Sequence, residues 1–371
     1  MKITLKNTPE QIELVKAMAS RNRDVAYEAQ TALAEFIGPV LAEVINQAPV
    51  LSNLFTTLQY NADDNPSIPL DLYFDVADED YIQVFSQSRA GGLPTSEVLP
   101  TSSELKIATY SLDSAVSFDR RYAAKSRMDV VAKTMTRVAQ EILAKQNTIS
   151  ANVVMSALAN ASTVQAGVGI SHLLASATRN KFSLADLNAM MTKSKRIVTS
   201  FSGGTPDAGR GKGVTDIIVS PEIVESLRAI AYQPINGVQN NDVIAEEAYR
   251  AAGAPSFYGI NVIELNEMGK NQKFNTAFTA AATAAGITPA QQNDGTDGQT
   301  FADGEDEIVL GIDRSRESLV RPVAVDAENG GEFNLIADDQ YSIRQSKVGY
   351  FGSLEEGRIV LDNRALVGVV V

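Results

Sequence analysis

The chain has 371 residues, 44% of them hydrophobic and 21% charged, with a formal net charge of −13 and no cysteine. That length can bury a sizeable core and suggests about two domains. The acidic balance argues against a protein that grips nucleic acid through a phosphate-neutralising patch, and the lack of cysteine excludes disulfides, thiolate catalysis and Cys-ligated zinc.

Met1 to Lys6 carries two lysines with no long apolar run behind them, so it does not read as a signal peptide. No window approaches the roughly 20 apolar residues of a membrane span. Thr8-Pro9-Glu10-Gln11 is a helix start, with Thr8 as N-cap, Pro9 at the first helical position and Gln11 completing a capping box. The helical pattern runs through Ile12, Val15, Met18, Val25 and Leu33 to Ile37, where Gly38-Pro39 is expected to kink or break it. A second apolar helix follows through Val40, Leu41, Val44 and Ile45. This region reads as an arm that packs on something else, without a core of its own.

Leu54 to Phe74 is extended, with a turn cluster at Asn61 to Pro66. Tyr81 to Arg89 alternates at period two, as does Leu105 to Phe118. The Gly-, Pro-, Ser- and Thr-rich tip between them, Ala90 to Ser102, far exceeds the roughly two to five residues of an ordinary hairpin loop. Isolated two-stranded ribbons are marginal in water. The hairpin therefore calls for another surface to lie on, and a second copy of the chain would supply one.

A long amphipathic helix follows. Ser126 is placed as its cap and Asp129 in its first turn. Val131, Met135, Val138, Ile142, Ile149 and Val153 form its apolar face. Continuous to Leu158 it would span on the order of 50 Å at about 1.5 Å per residue, unless Asn147, Thr148 and Ser150 interrupt it. Ser183-Leu184-Ala185-Asp186 is another capping box, opening a helix to Ile197. The Gly-rich stretch Ser200 to Gly213 is the best domain boundary. Beyond it come a buried strand at Val214 to Val219, a helix from Ser220-Pro221-Glu222, a short helix at Val243 to Arg250 and a strand at Ile260 to Leu265. Asn271 to Asp306 reads as mobile, with little to bury. Glu307 to Ile312 and Ser318 to Val325 are strands, and the apolar C-terminus belongs inside a sheet. Strands and helices mix without regular βαβ alternation, which indicates an α+β fold.

Chemical signatures are weak throughout. Gly204 to Gly209 has the spacing of a phosphate-binding loop, yet Arg210 stands where lysine is required and Gly211 where Ser or Thr would hold magnesium. The acidic residues from Asn293 to Glu307 miss the calcium-loop register, with Gly295 at position three and Gly304 at position twelve. His172, the sole histidine, has no nucleophile or carboxylate near it in sequence and is read as structural. Asp119-Arg120-Arg121 and Asp313-Arg314-Ser315-Arg316 are small charge clusters, read as solvated faces or intersubunit ion pairs. No catalytic, cofactor-binding or metal-ligating set is expected, and a monomeric enzyme is disfavoured.

The order of elements carries a resemblance. It runs from N-terminal helices to a long hairpin, a spine-like helix, a module opening Asp216-Ile217-Ile218-Val219-Ser220-Pro221-Glu222, and a closing Ile359-Val360-Leu361-Asp362-Asn363-Arg364-Ala365-Leu366. This order resembles the major capsid proteins of tailed bacteriophages, the coat-protein fold first seen in phage Hong Kong 97. The resemblance implies an N-terminal arm and lead-in over residues 1–78 and an extended loop over 79–119. It further implies a peripheral domain with the spine helix over 120–213, an axial domain over 214–325 and a return to the peripheral domain over 326–371. It also implies pentamers and hexamers of an icosahedral shell around double-stranded DNA, a virion location and assembly in the bacterial cytoplasm. The implied partners are a separate scaffolding protein, a portal and a decoration protein. No cofactor and no membrane are implied. Arg89, Glu97 and Lys106 of the hairpin, with Arg120 and Arg121 beyond it, are the charged residues assigned to intersubunit contacts. Lys106 and Asn363 are the nearest candidates for the covalent crosslink some members form, though no motif fixes either. An encapsulin-type nanocompartment, which shares the fold, is the alternative.

Overall fold

The computed structural model describes residues 8–46, 48, 50–61, 66–69, 104–165, 168–198, 213–232, 256–257, 259–286, 301–325, 332–338 and 346–371. The expected strand at Tyr81 to Arg89, the hairpin tip, the Gly204 to Gly209 stretch and the helix at Val243 to Arg250 lie outside them. The fold is α+β, in two compact units. Unit 1 comprises Met1–Pro66, Ala108–Ala151 and Val320–Ile359; unit 2 comprises Ser67–Ile107, Asn152–Leu319 and Val360–Val371.

Unit 1 begins with α1 (Pro9–Ala17), capped as expected by Thr8, whose Oγ1 accepts from the Gln11 N–H at 3.4 Å. The chain breaks at Met18 to Asn22, not at Gly38-Pro39. Ser20 and Asn22 compete for backbone donors there: Ser20 Oγ accepts from the Asn22 N–H and Asn22 Oδ1 from the Asp24 N–H, both at 3.2 Å. That bond caps α2 (Arg23–Asn46), a helix of 24 residues that runs through Pro39 unbroken. Pro39 costs a hydrogen bond but projects into solvent, while Gly38 faces inward, where an added Cβ would sit 3.9 Å from Leu335 Cβ.

These helices pack on the rest of unit 1 and share its core. Val15, Met18, Leu33, Ile37, Leu41 and Ile45 are each at most 3% exposed, in one cluster with Val131, Met135 and Val138 of the long helix and Tyr350. The apolar residues recur every three or four positions, so one stripe of α2 faces the sheet.

The six-stranded sheet of unit 1 runs β1 (Thr56–Asn61), β12 (Leu319–Val325), β14 (Lys347–Gly357) and β13 (Asn334–Asp338), with β4 (Thr109–Asp119) on β14 and β15 (Ile359–Val360) on β12. β4 pairs antiparallel with β14 from Asp119↔Lys347 to Thr109↔Gly357. The descending arm of the expected hairpin therefore does lie on another surface, and that surface is β14 of the same chain, not the second copy offered as one supplier. Alternation alone names no partner, and β14 lies more than two hundred residues away in sequence.

Beyond β4, Asp119 caps α3 (Arg120–Ala124), accepting from the Arg121 N–H at 2.9 Å. α4 (Met128–Ala159) follows, 32 residues long. Ser126 does not cap it; its φ is +53° and its Oγ has no hydrogen-bond partner. Nor do Thr148 and Ser150 interrupt it, because their hydroxyls donate back to the carbonyls of Ala144 and Gln146 at 2.9 and 2.6 Å. Ala151 belongs to unit 1 and Asn152 to unit 2.

A buried charge cluster sits under the unit 1 sheet. Glu356, fully buried, accepts from Arg321 Nε at 2.7 Å, Arg358 Nη2 at 3.0 Å, Gln146 Nε2 at 3.0 Å and Tyr110 Oη at 2.8 Å. Arg358 also donates to Ser52 Oγ at 2.7 Å and lies 5.2 Å from the Phe55 ring centroid. Burial, then the Glu356 carboxylate, push the Tyr110 phenol far above its usual range.

Unit 2 holds a second six-stranded sheet, ordered β7 (Leu173–Ala175), β16 (Leu366–Val370), β11 (Ile308–Ile312), β8 (Asp216–Val219), β10 (Ile260–Glu264) and β9 (Ser256–Phe257). Its central strands β16, β11 and β8 are buried at every position, as their near-continuous apolar sequences require. One βαβ crossover occurs, β8 to β10 in parallel around α6 (Pro221–Tyr232), so alternation is rare without being absent. The Ser183 capping box forms at α5 (Leu184–Val198), with Asp186 accepting from the Ser183 N–H at 2.8 Å. Ser220 Oγ likewise accepts from the Ile223 N–H at 3.2 Å at the head of α6.

Two expectations change here. The alanine-rich part of the segment expected to be mobile is α7 (Lys273–Ala285), anchored by buried Phe274, Phe278 and Ala282 and ended by left-handed Gly286. Alanine is the best helix former, and apolar residues at four-residue steps give the helix a face to bury. The Asp313-Arg316 cluster is not a solvated face. Asp313 is fully buried and caps the turn at Arg314–Arg316, and Arg316 Nη1 donates to Asp362 at 2.5 Å. Residues Val320–Ile359 belong to unit 1, and Val360–Val371 belong to unit 2, where β16 pairs with β11.

Two predictions follow from these buried charges. Glu356→Gln leaves Arg321 and Arg358 without their counter-charge and should cost about 3–5 kcal/mol, read by urea unfolding; joint replacement of all three by apolar residues should cost less. Glu307 lies 5% exposed, accepts from Ser220 Oγ at 2.5 Å, and has its carboxyl raised above the usual value by burial. Its stabilising contribution is fully present below the unfolded value of 4.5 and lost as pH rises through the higher folded value. Glu307→Gln should therefore gain stability relative to wild type as pH rises from 4.5 towards 7, measured by urea titration at each pH.

Candidate assembly surface

The described residues hold no group of three or more His, Asp or Glu placed to take a metal ion. His172 is structural: fully buried, its Nδ1 lies 3.1 Å from the carbonyl oxygens of both Asn363 and Leu366, and burial holds its pKa below the usual value. Asp306, within the acidic stretch, accepts from Arg179 Nε at 3.1 Å and from the Ala302 N–H at 2.8 Å. That carboxylate is a structural tie, and Asp294 and Asp297 lie outside the described residues. What the molecule does display is uncovered apolar surface.

Among the described residues, the large apolar side chains left exposed are Val25, Tyr27, Phe36 and Val40 on α2, Leu58 on β1, Tyr122 on α3 and Ile336 on β13, all in unit 1. Phe36 is 57% exposed, beside the fully packed Ile37. Two helical faces explain the pair. Leu33, Ile37, Leu41 and Ile45 point into the core, while Ala32, Phe36, Pro39 and Val40 share the outward side with Glu28, Glu35 and Glu43. A helix apolar on both faces is built to be covered twice. The helical pattern read from the sequence runs to Phe36-Ile37 without separating the inward residue from the outward one; the available signal was the excess of apolar residues over what one stripe can hold.

β1 adds a second feature. It pairs parallel with β12 along one edge, and its other edge pairs no strand among the described residues. Five of its six residues are exposed, Leu58 among them. An unpaired, exposed edge is a template for a further strand.

In unit 2, β2 (Ser67–Pro69) and β3 (Glu104–Lys106) pair antiparallel, Ile68 opposite Leu105 and Pro69 opposite Glu104.

Of the charged residues assigned to intersubunit contacts, Arg89 and Glu97 lie outside the described residues. Lys106 is exposed at the end of β3. Arg120 donates through Nε and Nη2 to the Ala19 carbonyl at 3.1 and 3.0 Å. Arg121 pairs with Asp119 at 2.8 Å and its side chain is 85% exposed. The hydrogen bond from Arg121 lowers the Asp119 carboxyl, but so exposed a pair adds little stability. Lys106 belongs to unit 2, and Arg120 and Arg121 belong to unit 1.

Among the described residues no helix is long and apolar enough to cross a membrane. No family model matches the sequence, and no curated protein does. Solved structures similar to this chain include the capsid of the cyanophage P-SCSP1u, at 12% identity, covering 87% of this chain and 88% of that one, TM-score 0.47. The capsid of an empty GTA particle is similar at 11% identity, over 87% and 90%, TM-score 0.48. The holo-SrpI encapsulin complex from Synechococcus elongatus PCC 7942 is similar at 13% identity, over 86% and 85%, TM-score 0.42. Each TM-score is below 0.5, so the functional reading rests on the chain's own geometry.

Phe36→Asp should leave the monomer's stability within about 0.5 kcal/mol, whereas Ile37→Ala should cost about 2–5 kcal/mol. Thermal or urea unfolding of the two variants checks the two-faced character of α2.

Proposed function

We propose that this chain is a shell-forming coat protein: the major capsid protein of a tailed phage, assembling as pentamers and hexamers of an icosahedral container around packaged double-stranded DNA. The observation that carries the reading is the uncovered apolar side of α2, centred on Phe36. A helix whose inner stripe already completes a core gains nothing alone by exposing a second one, and contiguous exposed apolar surface marks a site of association. A second copy of the chain is the natural cover, because interfaces repeated around a closed symmetry sum many modest contacts.

Two further features support it: β2 and β3, which flank residues 70–103 in sequence, pair with each other, and β1 offers an open edge among the described residues. The acidic net charge of −13 suits a wall that encloses DNA without gripping it. In this reading the protein resides in the virion, is assembled in the host cytoplasm, and works with a scaffolding protein, a portal and a decoration protein.

Negative-stain microscopy with size-exclusion chromatography and light scattering tests the proposal. Closed particles are expected from the purified chain, alone or with a co-expressed scaffold; a strict monomer under all conditions overturns it. Particles found to enclose an enzyme cargo in place of DNA would assign the chain to the encapsulin-type nanocompartments. Phe36→Asp should reduce closed particles at least tenfold while leaving a folded subunit, and unchanged particle yield would remove α2 from the interface.

A further inference from the structure

Two helices of unit 1, α2 and α3, show exposed aromatic side chains, and the charges around them are of opposite sign. Beyond Arg23, every charged residue of α2 is an acid. Glu28 and Glu35 are exposed along one rim of the outward stripe that Ala32, Phe36 and Val40 form. Neither glutamate meets a cation in an ion pair among the described residues.

α3 is the counterpart. Ala123 is its buried anchor, which leaves Arg121, Tyr122 and Ala124 exposed, with Lys125 exposed at the C-cap. Around this helix Arg120, Arg121, Lys125, Arg127 and Lys347 stand against Asp119 and Asp129. The two acids are already engaged: Asp119 pairs with Arg121 at 2.8 Å and also feels Lys347, and Asp129 pairs with Arg127 at 3.5 Å. Arg120 is bound to the neutral carbonyl of Ala19, so its charge is not cancelled. Neither Lys125 nor Lys347 forms an ion pair among the described residues. Tyr122 thus sits in a positive setting on a chain whose net charge is −13.

Two such chains repel as wholes, and association is favoured where one offers the other a local field of opposite sign. Setting α2 against α2 would bring Glu28 and Glu35 towards the same acids of the other copy, and like charges oppose pairing. Setting α2 against α3 pairs acid with base. It also covers Phe36 with Tyr122, whose ring is apolar and whose hydroxyl stays wet, a character favoured at interfaces. We infer that the outward face of α2 in one copy docks on α3 of a second copy, with Glu28 and Glu35 turned to Lys125 and its cationic neighbours. The contact joins two unlike surfaces. It rests on the shell reading and names the surface that covers Phe36.

The chain has no cysteine, so introduced thiols report only the positions chosen. Ala32→Cys on α2 and Ala124→Cys on α3 each replace an exposed alanine. The two full-length variants, purified separately, mixed and treated with a short bis-maleimide, should give a crosslinked dimer on a denaturing gel, and neither should give it alone. No dimer from the mixture overturns the inference. So does an equal yield from Ala32→Cys alone, which would place α2 on α2. Adding Glu28→Lys/Glu35→Lys to the first chain should lower the crosslinked fraction about fivefold, and adding Lys125→Glu to the second should recover most of the loss. A fraction indifferent to these reversals also overturns it. Every position changed is exposed, so the subunit is expected to stay folded. Crosslinking needs no closed particle: particles without the crosslink would remove this contact and leave the shell reading standing, and the crosslink without particles would do the reverse.

Discussion

Unit 1 turns on the buried Glu356 carboxylate. It is the one point where β4 (through Tyr110), α4 (through Gln146), β12 (through Arg321) and the turn at Leu51–Leu54 (through Arg358 and Ser52) converge on a single group. A charge so far from water is tolerable only when its oxygens are filled with donors, and here two guanidiniums, an amide and a phenol fill them. Apolar packing accepts many near-equivalent arrangements, whereas this cluster accepts one register of β4 on β14 and one placement of α4 beneath them. The cluster contributes less to net stability than to uniqueness: a slip of one residue along β14 would turn Glu356 away from Tyr110, Gln146 and Arg321 at once.

That register governs what the outer surface can present. β14 lies between β4 and the β13–β12 side of the sheet, and the apolar cluster beneath it, with Tyr350 and Phe118 stacked at 6.5 Å, receives the inner stripe of α2. Because the inner stripe is fixed, so is the outward one. Phe36 and Val40 are displayed by a rigid helix, which loses little entropy when its partner arrives.

Local signals were legible in the sequence wherever the physics is local. Thr8-Pro9, Ser183–Asp186 and Ser220-Pro221 each start a helix where their chemistry says they should, and the apolar run at Leu366 to Val370 is the interior strand it reads as. What escaped depends on residues distant in sequence. The partner of Thr109 to Asp119, the burial of Arg316 against Asp362 and the sinking of α1 and α2 into a shared core have no mark in any window of twenty residues. The misplaced break shows rivalry between local rules: Gly38-Pro39 is the stronger breaker on paper, but a glycine facing the sheet and a proline facing water cost the helix little, while Ser20 and Asn22 had hydrogen bonds to offer in place of it. For the assembly surface, the excess of apolar residues on α2 was visible; which of them would stay outside was not.

The partition of the chain also has a consequence for the order of events after synthesis. Unit 1 needs Val320 to Ile359 and unit 2 needs Val360 to Val371, so neither core can close until these segments have left the ribosome. Pairings such as Thr109 with Gly357 carry a large loop-closure cost, and contacts of such separation slow folding. The nascent chain therefore holds its apolar stripes open until then, the condition in which chaperones bind. The same delay means that no partly made chain can present a finished α2, and only completed subunits have an ordered face with which to meet one another.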